Sequence, residues 1–222
     1  MEKLWYKTNL DPAGALLDDL DLSFVAGPDP VGEWVWAAGG EDVKNVFKQD
    51  WLDYMESKGC PVPFVLVFYK PANFRDNIHR DKVPKEGYKY HMLGEAGFLH
   101  YGINLIGNPG YLTGNGADEK YKGWKDTGSM RWYDTEPKNG IPLKGQGADY
   151  NYEYIRFPED DHVTEIGRLD FDSSAMYMVR ADIPHQVVTY DQSRLCFSIR
   201  GPETVAGSWD SVVTIIKDLG LL

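Results

Sequence analysis

Two hydrophobic periods divide the chain. Over 41–57, Val43, Phe47, Trp51 and Tyr54 or Met55 recur every three to four residues, which predicts a helix with one buried stripe. Glu41 and Asp42 suit the positive N-terminal end of that helix, and Gly59 with Pro61 supplies its stop. From Pro61 onward the pattern becomes that of strands. Residues 62–69 form a near-continuous apolar run, as in a strand buried on both faces, and 97–106, 129–133, 163–169, 175–179, 185–190 and 194–200 come after it with turn residues between most of them. The last strand alternates cleanly: Leu195, Phe197 and Ile199 share one face, and Arg194, Cys196, Ser198 and Arg200 share the other. One face therefore packs on a core while the other lines something polar. A second helix closes the pattern over 208–219, with Ser208 as cap, Asp210 in its first turn, Lys217 in its last and Gly220 beyond.

The remaining segments are poor in periodicity. Residues 1–39 are rich in Pro, Gly and Asp, with short strand-like pieces at 20–25 and 33–36, and read as an arm laid on a domain. Residues 107–128 and 135–158 are rich in Gly, Asn, Lys and Tyr and read as long loops, of the kind that form lids or substrate walls. Many short strands with Gly, Pro and Asp turns indicate a mainly β sandwich or barrel. No repeat or linker interrupts 1–222, so the chain is expected to be a single domain with its core at about 62–200, an arm and helix in 1–61 and a closing helix at 208–219.

Composition sharpens this only in part. Seven Trp, 14 Tyr and 9 Phe beside 23 Gly and 13 Pro lean toward β structure with substantial loops. A formal net charge of -11 repels phosphate backbones, so no nucleic-acid partner is expected. Cys60 and Cys196 lie far apart and support neither a disulfide framework nor a zinc site. No run approaches 18 apolar residues and Met1 to Trp5 has no signal-peptide core, which predicts a soluble, cytoplasmic protein without a membrane segment. Sheet edges leave a homodimer open.

The chemistry concentrates at two places. His79 and Asp81 stand two residues apart on an extended segment, so both side chains point to one side and reach one ion. Two histidines and one carboxylate on one face of a metal leave open positions and suit non-haem Fe(II). Of the other histidines (His91, His100, His162 and His185), His185 is favoured as the third ligand because of the strand that comes after it. A short turn leads from its own strand into 194–200, where Arg194 and Arg200 flank two small residues on one face. That face makes an anion-sized recess, and a guanidinium there grips a carboxylate bidentately. Gly114-Asn115-Gly116 is a turn signal; no phosphate-loop lysine comes after it.

These residues resemble the Fe(II)- and 2-oxoglutarate-dependent dioxygenase superfamily. Its pattern of H-x-D, a distant H and a later Arg is similar to His79, Asp81, His185 and Arg194, with Arg194 nine residues after His185. The lead-in Tyr69-Lys70-Pro71-Ala72 is similar to that of prolyl-hydroxylase-like members, although Ala72 stands where Gly is common. Tyr101-Gly102-Ile103-Asn104-Leu105 and Ser129-Met130-Arg131-Trp132-Tyr133 resemble the strand pair downstream of the motif. The likeness covers roughly 62–200.

The resemblance implies a double-stranded β-helix, a cupin-like jelly roll, with flanking helices. It implies iron held by His79, Asp81 and His185, and 2-oxoglutarate and O2 as cosubstrates. Arg194, or alternatively Arg200, binds the distal carboxylate. Tyr69, Tyr101 and Asn104 either contact the cosubstrate or serve as barrel packing. It further implies hydroxylation of a peptidyl or amino-acid side chain, or of a small metabolite, with release of succinate and CO2. The rival expectation is a cupin-like barrel that binds metal or ligand without this turnover; only the enzyme needs the arginine recess together with the complete triad.

Overall fold

The computed structural model describes residues 3–18, 20, 34–76, 78–81, 104–107, 128–134, 141–146, 151–156, 163–172, 175–181, 183–190, 194–200 and 209–222. For 34–37, 80, 81, 104–107, 141–146, 151–156, 195 and 200 only the backbone is described. Among the described residues twelve strands alternate with three short α-helices. In chain order they are β1 (Trp5–Lys7), α1 (Pro12–Ala15), β2 (Trp34–Gly39), a 3-10 turn (Gly40–Asn45), α2 (Gln49–Ser57), β3 (Phe64–Lys70), β4 (His79–Asp81), β5 (Asn104–Gly107), β6 (Gly128–Tyr133), β7 (Ile141–Gln146), β8 (Asn151–Arg156), β9 (Glu165–Asp170), β10 (Met176–Val179), β11 (His185–Thr189), β12 (Arg194–Arg200) and α3 (Trp209–Asp218). Among the described residues no helix is long and apolar enough to cross a membrane.

The strands form two six-stranded antiparallel sheets. One has the order β1-β10-β5-β12-β3-β2, the other β7-β8-β4-β11-β6-β9. The N-terminal arm therefore supplies both edges of the first sheet, β1 against β10 and β2 against β3. The alternation in β12 sorts two cores. Phe197 and Ile199 pack with Val65, Val67, Met176 and Met178 against Phe47, Trp51, Met55, Trp209, Val212 and Ile216 of the helical layer. Cys196 packs instead with Met130, Trp132, Leu169, Phe171 and Tyr177, between the sheets. Each strand of the first sheet thus presents one face to the helices and the other to the space between the sheets.

Two elements differ from expectation. The helix predicted over 41–57 is broken into the 3-10 turn and α2. At the break the backbone turns to another partner: Leu16 and Phe47 form an isolated bridge, Leu17 N–H donates to Val46 O, and Lys48 N–H donates to Ala15 O. Val43, Phe47 and Trp51 keep their four-residue spacing across the break, and Val43 and Phe47 remain 5% and 1% exposed. The segment 135–158, expected as a loop, contains the β7–β8 hairpin, which extends the second sheet beside β4. The Ser208 cap, most of 107–128 and, apart from Leu20, the strand expected at 20–25 lie outside the described residues.

The connection from β3 to β4 is zipped to β11. Asn73 N–H donates to Tyr190 O, Thr189 N–H to Phe74 O and Asp76 N–H to Val187 O. The Thr189 hydroxyl donates to Pro71 O and accepts from Phe74 N–H. Gln186 is fully buried; its carbonyl oxygen accepts from Arg75 Nε and Tyr133 Oη, and its amide donates to Asp76 O. Arg75 stands opposite Val188 and His79 opposite His185, so four steps on this connection match three on β11, a one-residue bulge. On the other flank of β11, Gly128 lies opposite Thr189 at φ 149°; a Cβ there would come within 2.2 Å of Val188 O, so only glycine lets β6 start this close.

Candidate functional site

β4 and β11 bring His79 and His185 directly opposite each other. Opposed residues share a face, and the two imidazoles lie with centroids 4.5 Å apart at 58°. The face is the inner one: Val187 and Trp132, in register with β11 and β6, belong to the core between the sheets. His185 is 5% exposed, and its Nδ1 sits 2.9 Å from Ile183 O. With Nδ1–H donating to that carbonyl, Nε2 is the unprotonated ring nitrogen, an arrangement common in ligating histidines. Asp81 stands on β4 at the same parity as His79, opposite Tyr154 of β8; its side chain is outside the described set. The described side chains thus contain two members of the expected triad.

Arg194 opens β12 at 2% exposure, on the face it shares with Cys196 and Ser198. Among the described residues its Nε and Nη2 have no hydrogen-bond partner. The guanidinium carbon lies 3.7 Å from the centroid of the Phe171 ring, a cation–π contact that positions the group but satisfies none of its in-plane donors. Burial pushes this guanidinium below its usual range. A buried, unpaired charge with orphaned donors costs several kcal/mol and calls for an anion. The neighbouring Cys196 thiol is pushed up by burial, against the pull of Arg194 and Lys70.

Strand parity places the other candidates. Tyr69 is in register with Leu195 and alternates with Val65 and Val67, which pack on the helices, so it belongs to the face opposite Arg194. Of the two expectations for Tyr69, this register favours barrel packing over contact with the cosubstrate, because the strand period turns it out of the inner space. Arg200 and Asn104 are opposite each other on β12 and β5, with only their backbones described. Arg200 lies six positions after Arg194, roughly 20 Å along the strand. Tyr101, His91, His100 and His162 lie outside the described residues.

Sequence reasoning missed Lys70. It is 4% exposed, stands opposite Arg194, and its Nζ pairs with Asp76 Oδ2 at 2.8 Å and lies 4.9 Å from the Phe74 ring centroid. Counting by twos from Phe68, which packs between the sheets, would have put Lys70 inside and Tyr69 outside, had the register been known.

No family model matches the chain, and no curated protein does. Among solved structures the fold is similar to hazelnut (Corylus avellana) vicilin, at 7% identity and TM-score 0.33, covering 78% of this chain and 31% of that one. It is also similar to a Pseudomonas putida prolyl-4-hydroxylase, at 11% identity and TM-score 0.36, covering 76% and 71%. The chain spans about a third of the vicilin's length, and neither likeness assigns a role to any residue here.

Proposed function

We propose that the protein is a non-haem Fe(II)- and 2-oxoglutarate-dependent dioxygenase that hydroxylates a peptidyl or amino-acid side chain or a small metabolite. The observation that carries this reading is Arg194: a guanidinium buried on the inner face with two donors that lack partners among the described residues, in the same fold as a cross-strand histidine pair. A carboxylate from 2-oxoglutarate would satisfy both donors and neutralise the charge. The strand orders support the same reading. Taking β3, β4, β5, β6, β9, β10, β11 and β12 as strands one to eight, the sheets run 6-3-8-1 and 2-7-4-5, an order compatible with the proposed double-stranded β-helix.

The residues fit the implied groups. His79, Asp81 and His185 would hold the iron, with the Ile183 carbonyl fixing the His185 ring. Arg194 would hold the distal carboxylate, and Trp132, Val187 and Phe171 would keep water from the inner space. When bound, iron and 2-oxoglutarate supply the oxidising chemistry, and the chain orients them and shields the site.

Anaerobic addition of Fe(II) and 2-oxoglutarate is expected to give a weak visible charge-transfer band. His79→Ala, Asp81→Ala and His185→Ala should each lower the iron stoichiometry, and Arg194→Ala should weaken 2-oxoglutarate. No band in the wild type, or unchanged 2-oxoglutarate affinity in Arg194→Ala, would leave the rival reading of a barrel without this turnover.

A further inference from the structure

We infer that Lys70 and Asp76 form a clamp that couples occupancy of the Arg194 recess to the metal-ligand segment, so that an anion in the recess tightens metal binding at His79. The inference rests on the proposed anion role of Arg194 and adds two positioning residues to it.

Three observations carry it. First, Lys70 and Arg194 are directly opposed cations on the inner face, both almost fully buried. Like charges directly opposite each other destabilise a sheet. Among the described side chains the near carboxylate is Asp76, which pairs with Lys70 and leaves Arg194 uncompensated. Among the described side chains the two cations thus share one carboxylate, and a second one would balance Arg194. Second, Asp76 belongs to the zipped connection and lies three residues before His79. Third, that connection is held at Asp76 from three sides. Its N–H donates to Val187 O, its carbonyl accepts from Gln186, and its carboxylate takes the Lys70 ammonium. Of these three ties, only the Lys70 ion pair reaches across to β3 and thus to the recess.

The direction of coupling is set by the charges. With the recess empty, Arg194 repels Lys70 and loosens its hold on Asp76. An anion between the two cations cancels that repulsion, steadies Lys70 against Asp76, and so steadies the segment that presents His79. By linkage the metal tightens the anion by the same factor.

The test uses the full chain with Co(II) as metal and glutarate as anion. Glutarate keeps the distal carboxylate but has no 2-oxo group with which to chelate the metal. The Co(II) dissociation constant is measured with and without saturating glutarate. In the wild type glutarate is expected to tighten Co(II) about tenfold, within the usual range of such couplings. Lys70→Met and Asp76→Asn should each bring that factor to about one, and Lys70→Arg should restore most of it. Asp76→Asn is nearly isosteric and keeps the test decisive if Lys70→Met does not fold. An unaltered factor in Asp76→Asn, or no glutarate effect in the wild type, overturns the clamp. If instead Arg194→Ala leaves 2-oxoglutarate affinity unchanged, the underlying anion assignment fails, a separately readable result.

Discussion

The two faces of β12 make opposite demands on the fold. On the helix side, Phe197 and Ile199 are buried among Phe47, Trp51 and Met176, and the Phe47 and Phe197 rings meet edge to face with centroids 5.4 Å apart. On the inner side, Arg194 is just as buried but keeps two donors without partners among the described residues. One face gains from every atom it hides from water; the other holds a charge in a place that penalises it. Buried polarity alone is not the difference. Gln186 is fully buried too, yet it bonds Arg75, Tyr133 and the backbone of Asp76. A satisfied buried amide holds parts of a structure together, whereas a guanidinium with orphaned donors is the feature on which the proposed anion site rests.

The comparison breaks most readily at Phe197. Phe197→Ala is expected to lower unfolding free energy by about 4 kcal/mol, as large-to-small core changes do, and denaturant unfolding would measure it. A loss below about 1 kcal/mol would mean that the helix-side core is not what holds β12. Arg194→Met should move binding and stability apart. Anaerobic calorimetry should show 2-oxoglutarate weakened about 100-fold, close to 2.8 kcal/mol. The ligand-free protein should meanwhile gain about 1–2 kcal/mol, because an unpaired buried charge is replaced by a side chain of similar length. Gln186→Leu should do the reverse of that stability effect and cost about 2 kcal/mol, since it strands Tyr133 Oη and the Asp76 carbonyl. A stable Gln186→Leu protein would erase the distinction between satisfied and orphaned groups.

The smallest effect concerns Cys60, a buried thiol of the helix-side core whose pKa is pushed up to about 11 from 9.0 by burial. Below pH 9 the thiol is protonated both folded and unfolded, and the burial is fully stabilising. Between pH 9 and about 11 the unfolded chain releases the proton and the folded chain keeps it, so stability falls as pH rises. At pH 10 the loss should be about 1.4 kcal/mol. Comparing the pH 8 to pH 10 change in wild type and Cys60→Ala isolates it, and equal changes would refute it.

Much of this contrast is legible in the sequence itself. The alternation of Phe197 and Ile199 with Arg194, Cys196 and Ser198 states it outright, because a strand has a fixed period of two. What escapes the sequence is pairing. Tyr69 and Lys70 sit in an apolar run without alternation, so only the register with Leu195 and Arg194 says which of them faces in. The break at Phe47 escapes because its side chain obeys the helical spacing while the backbones of its neighbours Val46 and Lys48 bond to Leu17 and Ala15. The β7–β8 hairpin escapes because its two short strands sit within a segment, 135–158, whose Gly, Lys and Asn residues read as loop, and its place beside β4 is a long-range contact.

The bulge between Arg75 and His79 has a consequence of parity. Arg75 reaches Gln186 on the outer face of the second sheet. Counting by twos, residue 79 would share that face. The extra residue reverses the count and turns His79 toward His185, with Asp81 at the same strand parity. This connection is therefore a switch with two settings, odd and even. Losing or gaining one residue between 75 and 79 would keep the residues of the motif but set His79 on the face away from His185. A change of two would leave it aimed inward. The length of these few residues constrains the site as firmly as their identity.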